Sequence, residues 1–267
     1  MWYTLKRHIY KHGMKLFNAK VHRASISFIV FLIIWESGVR LHLPIIENIP
    51  TPSSVFLSLG KYVFSASYWQ SWMASMYRVY GGFLAAQILG IPLGLYIVSH
   101  KNAFDLIYPI FEIMRPVPPL AWVPVAVIFW PTTDSSMMFL TFLGAFFPVV
   151  LNIVEGAQNI DERYLRAAYS LGSSPKNVFR HILLPACMPS ILVGMVIGMG
   201  AAWTVVIAAE MISSSPLGLG QLTWRAYVVG EFPCIIIGMA SIGLVGYASS
   251  EAIRQLSRFL TPWIRTK

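Results

Sequence analysis

The sequence predicts an all-α integral membrane protein, a bundle of about six transmembrane helices with both termini in the cytoplasm. Three observations carry that prediction. Only 12% of the 267 residues are charged and 56% are hydrophobic, whereas a soluble domain carries roughly 25% charged residues. Mean hydropathy is +0.63. The lysines and arginines fall mostly in short segments between apolar runs. So little charge leaves too little polar surface for a water-facing globule, and no polar block is long enough to form a separate soluble domain.

The chain opens on a basic, amphipathic stretch, Met1 to Arg23, followed by an apolar run. That pattern resembles a signal peptide, but the basic region is long and no small-residue cleavage pattern follows. The expectation is a cytoplasmic tail over 1–24 and an uncleaved first span. A crossing needs about 20 apolar residues. The spans expected are Ser25–Leu41, Tyr80–Ser99, Ile107–Trp130, Met137–Val154, Ile182–Ile212 and Cys234–Ile253. The fifth is too long for one straight crossing, so it tilts or breaks. Thr51 to Met76, with Trp69 and Trp72, reads as an interfacial helix, because indole rings favour the headgroup level.

Basic residues set the orientation. Fifteen lie in the two tails, at Lys101 and between Arg163 and Arg180, while four (Arg40, Lys61, Arg78, Arg225) lie on the opposite side. The first set is therefore cytoplasmic. The net charge of +9 belongs to tails and loops that meet anionic membrane lipid. No basic folded face for nucleic acid is visible. Cys187 and Cys234 lie in apolar stretches and read as packing residues, and no His/Cys spacing points to a metal.

Glycine and proline punctuate the spans. Gly90 and Gly94, and Gly194 and Gly198, are small-xxx-small pairs that let backbones approach closely. Pro116, Pro118, Pro119 and Pro124 crowd the third span. Broken backbone at that depth is tolerated only against protein or a water-lined cavity. Glu36, Glu112, Arg115, Glu155 and Glu210 fall within or near spans, where an ionisable group needs a partner or water. Glu112 and Arg115, three apart, form an ion pair at a helix contact or line the path of an anionic solute. Glu210 caps or gates the exit, or is a hydrogen-bonded packing group. Trp203 reads as core or dimer packing, or as a pathway residue.

The longest cytoplasmic connection, 159–185, reads as two short helices around a sharp corner. Asn159 and Glu162 form a capping-box pattern. Leu165, Ala168, Tyr169 and Leu171 form an apolar stripe, and Gly172 suits a left-handed C-cap. Ser174 caps a second helix with Pro175 at its first position. Val178 and Phe179 give that helix its apolar face, and Pro185 marks the start of the next span. Either the unit is a passive loop on the headgroups or its compact corner transmits a push from a docked partner.

Arg166-Ala167-Ala168, three residues, Gly172, nine residues, then Ile182-Leu183-Leu184-Pro185 resembles the E-A-A-x3-G-x9-I-x-L-P loop of ABC importer permeases. Arg166 stands where that loop carries glutamate, which leaves the acidic role absent or moved to Glu162. Arg115-Pro116-Val117-Pro118-Pro119-Leu120-Ala121-Trp122-Val123-Pro124 looks like the third-span motif of the nitrate/sulfonate/taurine/bicarbonate branch. Leu143 to Pro148, Ala201 to Ile212 and Pro50 to Ser53 resemble the same branch. The resemblance implies a type I importer transmembrane domain over 25–260, a cytoplasmic C-terminal tail over 261–267, and the inner membrane of a prokaryote as location. It implies a homodimer of permeases, two separate ATPase subunits that bind ATP and Mg, an external solute-binding protein, and alternating access powered by ATP. Coupling would run through Glu162, Leu165, Arg166, Ala167, Ala168, Tyr169, Gly172, Phe179 and Pro185. The pathway would involve Glu112, Arg115, Trp203 and Glu210. The solute would be an oxyanion such as nitrate, an alkyl sulfonate, taurine or bicarbonate, or another small nitrogen compound.

No G-x-x-x-x-G-K-[ST] loop occurs in the sequence, so this chain carries no phosphate loop of its own, and no cofactor is expected in it. No H-E-x-x-H or G-x-S-x-G occurs either, and an enzyme is not expected. An ion-coupled secondary transporter is the rival reading.

Overall fold

The computed structural model describes residues 22–263 except 24, 45–47 and 214. Most of the basic tail and the end of the C-terminal tail (264–267) lie outside the described residues. The regular structure among them is all helical, with no strand. Among the described residues four helices are long and apolar enough to cross a membrane, and a bent pair makes a fifth candidate.

Helix α1 covers residues 25–40, and α2 covers Pro52–Val63, with Thr51 accepting from the Ser54 amide and Pro52 in its first turn. Helix α3 runs unbroken over Ala66–Ser99. This corrects the expected interfacial helix over 51–76. The break falls at Phe64–Ser65, where Ser65 caps α3, and no helix breaker follows until Pro92. A helix of 34 residues is about 51 Å long, well beyond the roughly 30 Å hydrocarbon core. The clustered Tyr68, Trp69 and Trp72 rings occupy the first turns of α3.

The expected third span is two helices. α4, Lys101–Met114, ends at Arg115. A 3-10 turn, Pro119–Trp122, then leads into α5, Val123–Phe129, and the two parts meet at 90°. Pro116, Pro118 and Pro119 supply no N–H and push their predecessors out of the helical region, so the helix stops there. Next come α6, Thr133–Gln158, opened by a Thr132/Ser135 capping box, then α7, Glu162–Ser170, and α8, Pro175–Val178. A π-helical turn, Phe179–Leu183, leads without interruption into α9, Leu184–Ile212. Helix α10, Leu219–Val229, and α11, Phe232–Leu260, are the last of the described elements.

Helix α6 is the axis of the bundle. Its Val149, Val150, Ile153 and Val154 are fully buried. Helix α3 runs parallel to it and α9 antiparallel, both in close contact. Gly90 meets Phe146 and Val150 and Gly94 meets Ile153, while Gly194 and Gly198 lie on the backbone of Val149 and Ala145. Both small-residue pairs thus pack against the same helix. At Gly82 an added methyl would collide with the Met138 carbonyl oxygen and the Thr141 side chain. The end of the bundle holding α10 is tied to α2 by Glu231, which accepts from the Tyr62 hydroxyl at 2.5 Å and from Lys61 at 3.5 Å. Those two groups hold the Glu231 carboxyl below its ordinary pKa.

Gly82→Ala should therefore lower the thermal midpoint of the purified protein, at an overpacking cost of about 1–3 kcal/mol. Gly243→Ala, with no atom within 4 Å of the added methyl, should leave it unchanged. Melting curves of both variants in one detergent check this.

Candidate functional site

At the α7 end the corner is closed by backbone hydrogen bonds. Gly172 adopts φ +76. Its amide donates to Tyr169 O and the Ser173 amide to Ala168 O, each at 3.0 Å. This is a Schellman closure, which needs a left-handed residue at its corner. The capping expectation is corrected: Asp161, not Asn159, accepts from the Arg163 amide. Asn159 instead ends α6, its side chain donating to Glu155 O. A carboxylate one residue before α7 meets the helix dipole directly, and this displaces the asparagine. Ser174 caps α8, with Pro175 in its first turn. Glu162 pairs with Arg166 along α7.

The expected stripe divides between two surfaces. Ala168 is buried within the chain, so its small size serves internal packing. Leu165, Tyr169 and Phe179 line a groove of about 730 Å³ that also takes in Ile91, Leu95 and Tyr96 of α3. Ala167 and Pro185 line a second groove, with Tyr164 and Trp263. Leu171, 87% exposed, projects at the corner, and Arg166 is also exposed.

At the opposite end lies a buried ionic cluster. Arg78 and Glu210 are 3% and 0% exposed, and Nη1 of Arg78 lies 2.7 Å from Oε1 of Glu210. The same guanidinium donates to Asp134 Oδ1, Leu217 O and Ser215 Oγ at 2.7–2.9 Å. Glu210 further accepts from Ser75 Oγ and from the Gly220 amide. Ser75 Oγ accepts in turn from the Leu219 amide. The chain at Gly218 runs so close to this carboxylate that a side chain there would overlap it. Glu210 has no face open to a passing solute; it anchors the turn into α10.

Glu36 pairs with Arg40 and accepts from Ser53, and three further charges meet at the α4–α5 break. Arg115 Nη1 lies 3.4 Å from Glu155 Oε1 and 4.0 Å from Glu112 Oε1. Trp203 is in the core cluster, its Nε1 3.3 Å from Ser249 Oγ, so in this chain it is a packing residue.

Residues 86–266 match the family of binding-protein-dependent transport system inner membrane components. The chain belongs to that family. As such, the permease is a multi-pass inner-membrane protein and a transport subunit, not an enzyme. It is 32% identical to the nitrate import permease protein NrtB of Synechocystis over 262 residues, 92% of each chain. It is 34% identical to the taurine transport system permease protein TauC of Escherichia coli over 242 residues, 88% of this chain and 86% of that one. The bicarbonate transport system permease protein CmpB of Synechocystis is 33% identical over 195 residues, 73% and 69% of the two chains. The permease also shares its fold with a chain in inward-facing structures of the MetNI methionine ABC transporter. There the TM-score is 0.58 at 18% identity, over 73% of this chain and 94% of that one.

Two partnerships are not legible in the permease sequence. Charge counting places Arg78 on the non-cytoplasmic side, ahead of the span expected from Tyr80, whereas it lies inside α3 and pairs with Glu210. A cation followed by twenty apolar residues was the available signal, since Glu210 needed a partner at depth. Glu155 was noted but not joined to Arg115, because forty residues separate them.

Removing one member of the Arg78–Glu210 pair strands a buried charge, at about 3–5 kcal/mol. Arg78→Met should therefore lower the thermal midpoint sharply, and Arg78→Met with Glu210→Leu should recover part of the loss. A double-mutant cycle on the detergent-purified permease measures the coupling.

Proposed function

We propose that this permease, as a homodimer with six spans per protomer and both termini cytoplasmic, forms the pathway of an ATP-driven importer. Two separate ATPase subunits bind ATP and Mg, and an external protein delivers the solute. The solute is a small oxyanion-bearing compound of the nitrate, sulfonate, taurine or bicarbonate kind. The observation that carries the reading is the compact α7–α8 unit, rigidly cornered at Gly172 and continuous through the π turn with α9. A push on Leu171, Arg166 and the exposed face of α7 travels along one uninterrupted helix to the turn anchored by Glu210. Glu162 and Arg166 neutralise each other on that face, which offsets the loss of the family's glutamate. The family match and the permeases named above support the importer class, and the charge asymmetry supports the orientation.

Gly172→Val forces a β-branched side chain into the left-handed region, a strain of roughly 1–2 kcal/mol. It should cut ATP-driven uptake by about tenfold or more, since a small displacement at such a unit disrupts docking. Leu171→Asp, at a fully exposed tip, should weaken ATPase copurification without altering thermal stability. Uptake, copurification and abundance of both variants test the coupling role; normal values for all three in both variants would remove it.

Orientation has its own test. A cysteine placed at Ser67 should react with an impermeant thiol reagent on intact cells, and one placed at Ser174 should not. Labelling of Ser174→Cys from outside would reverse the topology.

A further inference from the structure

The groove between α3 and the α7–α8 unit holds about 730 Å³, within the range of small-ligand sites, about 300–1,000 Å³. Its lining is graded. Along α3 it begins at Ile91, Pro92 and Leu95, passes Tyr96, and ends at Ser99 and His100. The nine helical steps from Ile91 to His100 rise about 14 Å, close to half of the roughly 30 Å hydrocarbon core. The facing wall is graded in the same sense. The helical run from Pro175 to Ile212 is antiparallel to α3, so Leu183 lies toward the apolar end and Lys176 toward the polar one. Tyr96 and Tyr169 also line the groove, amphipathic rings of the kind that sit at the headgroup level.

The charge at the polar end has one sign. Among the described residues Lys176 lines the groove and no carboxylate does. The acidic residues at the start of α7, Asp161 and Glu162, are paired with Arg163 and Arg166. His100 is fixed at the rim: its Nδ1 lies 3.1 Å from Tyr96 O and its ring centre 4.6 Å from that of Tyr96. The chain's own N-terminal stretch has only basic residues among its charges, from Lys6 to Arg23, so it carries the sign that this rim repels. An apolar slot one leaflet deep, with a cation at its polar end, matches an acyl chain joined to a phosphate.

We propose that this groove binds one anionic phospholipid, with an acyl chain along α3 and its phosphate at Lys176 and His100. The lipid fills the space between α3 and the cornered unit, on a different surface from the exposed Arg166 and Leu171. The inference goes beyond the importer reading and needs only α3 in a bilayer, so loss of the lipid site leaves that reading intact.

Phosphatidylglycerol and phosphatidylcholine with identical chains differ only in the headgroup, so their competition isolates the proposed contact. Native mass spectrometry of the detergent-purified permease, equilibrated with both lipids in equal amounts, reads which is retained. The wild type should favour phosphatidylglycerol by about fivefold, the scale of one lysine at an anionic membrane surface. Lys176→Gln should bring the ratio close to one. Lys101→Gln removes a charge from the same end of the bundle but outside the groove lining, and should keep the preference. Equal retention in the wild type, an unchanged ratio in Lys176→Gln, or the same loss in both lysine variants would overturn the proposal, the last by showing a diffuse surface charge in place of a site. A second experiment identifies the occupant in the membrane. Tyr96, which lines the groove and is 51% exposed, is replaced by photoreactive p-benzoylphenylalanine, and irradiation should capture phospholipid. Capture of a second permease copy or of an ATPase subunit in place of lipid, or no capture at all, would sink the lipid assignment.

Discussion

A guanidinium buried in an apolar bundle must find acceptors for all its donors, and around Arg78 this requirement organises one whole end of the molecule. Its acceptors come from α6, from α9 and from the turn between α9 and α10, so three elements are fixed by one side chain on a fourth. Glu210 has the matching requirement and draws in Ser75 and the first amides of α10. The close approach of the chain at Gly218 and Gly220 follows, because any side chain there would displace the carboxylate or press on the Ile207 carbonyl. Such a pair adds little net stability over apolar packing, but its loss is costly, and its geometry admits one arrangement of the turn.

The rest of the bundle hangs from that anchored end. Helix α9 descends from Glu210 along α6 to the π turn at Phe179–Leu183 and joins α8 without a flexible link. A π turn inside a helix is a strained insertion of the kind that collects at functional sites. Here it lies between the cornered unit and α9. Between the corner at one end and the anchor at the other, the chain from Pro175 to Ile212 is one continuous helical run.

The motif from Arg166 to Pro185 was legible because local rules govern it: a carboxylate before a helix, a glycine at its end, and serine–proline at the start of the next. Even there Asp161 displaced Asn159, since two adjacent polar residues compete for one cap and the spacing alone does not rank them. The bend at Met114–Pro119 was partly legible, because proline removes donors wherever it falls, but its angle was not. The junction of α2 and α3 was misplaced, because aromatic residues at an interface and aromatic residues at the start of a long span have the same composition.

Composition and short-range spacing account for the membrane class, the uneven distribution of basic residues and the cornered segment, all of which involve residues a few positions apart or no particular positions at all. Tertiary structure decided which charges meet. Arg78 and Glu210 are 132 residues apart and Arg115 and Glu155 are 40 apart, and no local spacing records such a pair. The packing of α3, α6 and α9 brings them together. It also leaves the first pair buried and the second half exposed, and that difference in burial is set by which helices pack around each.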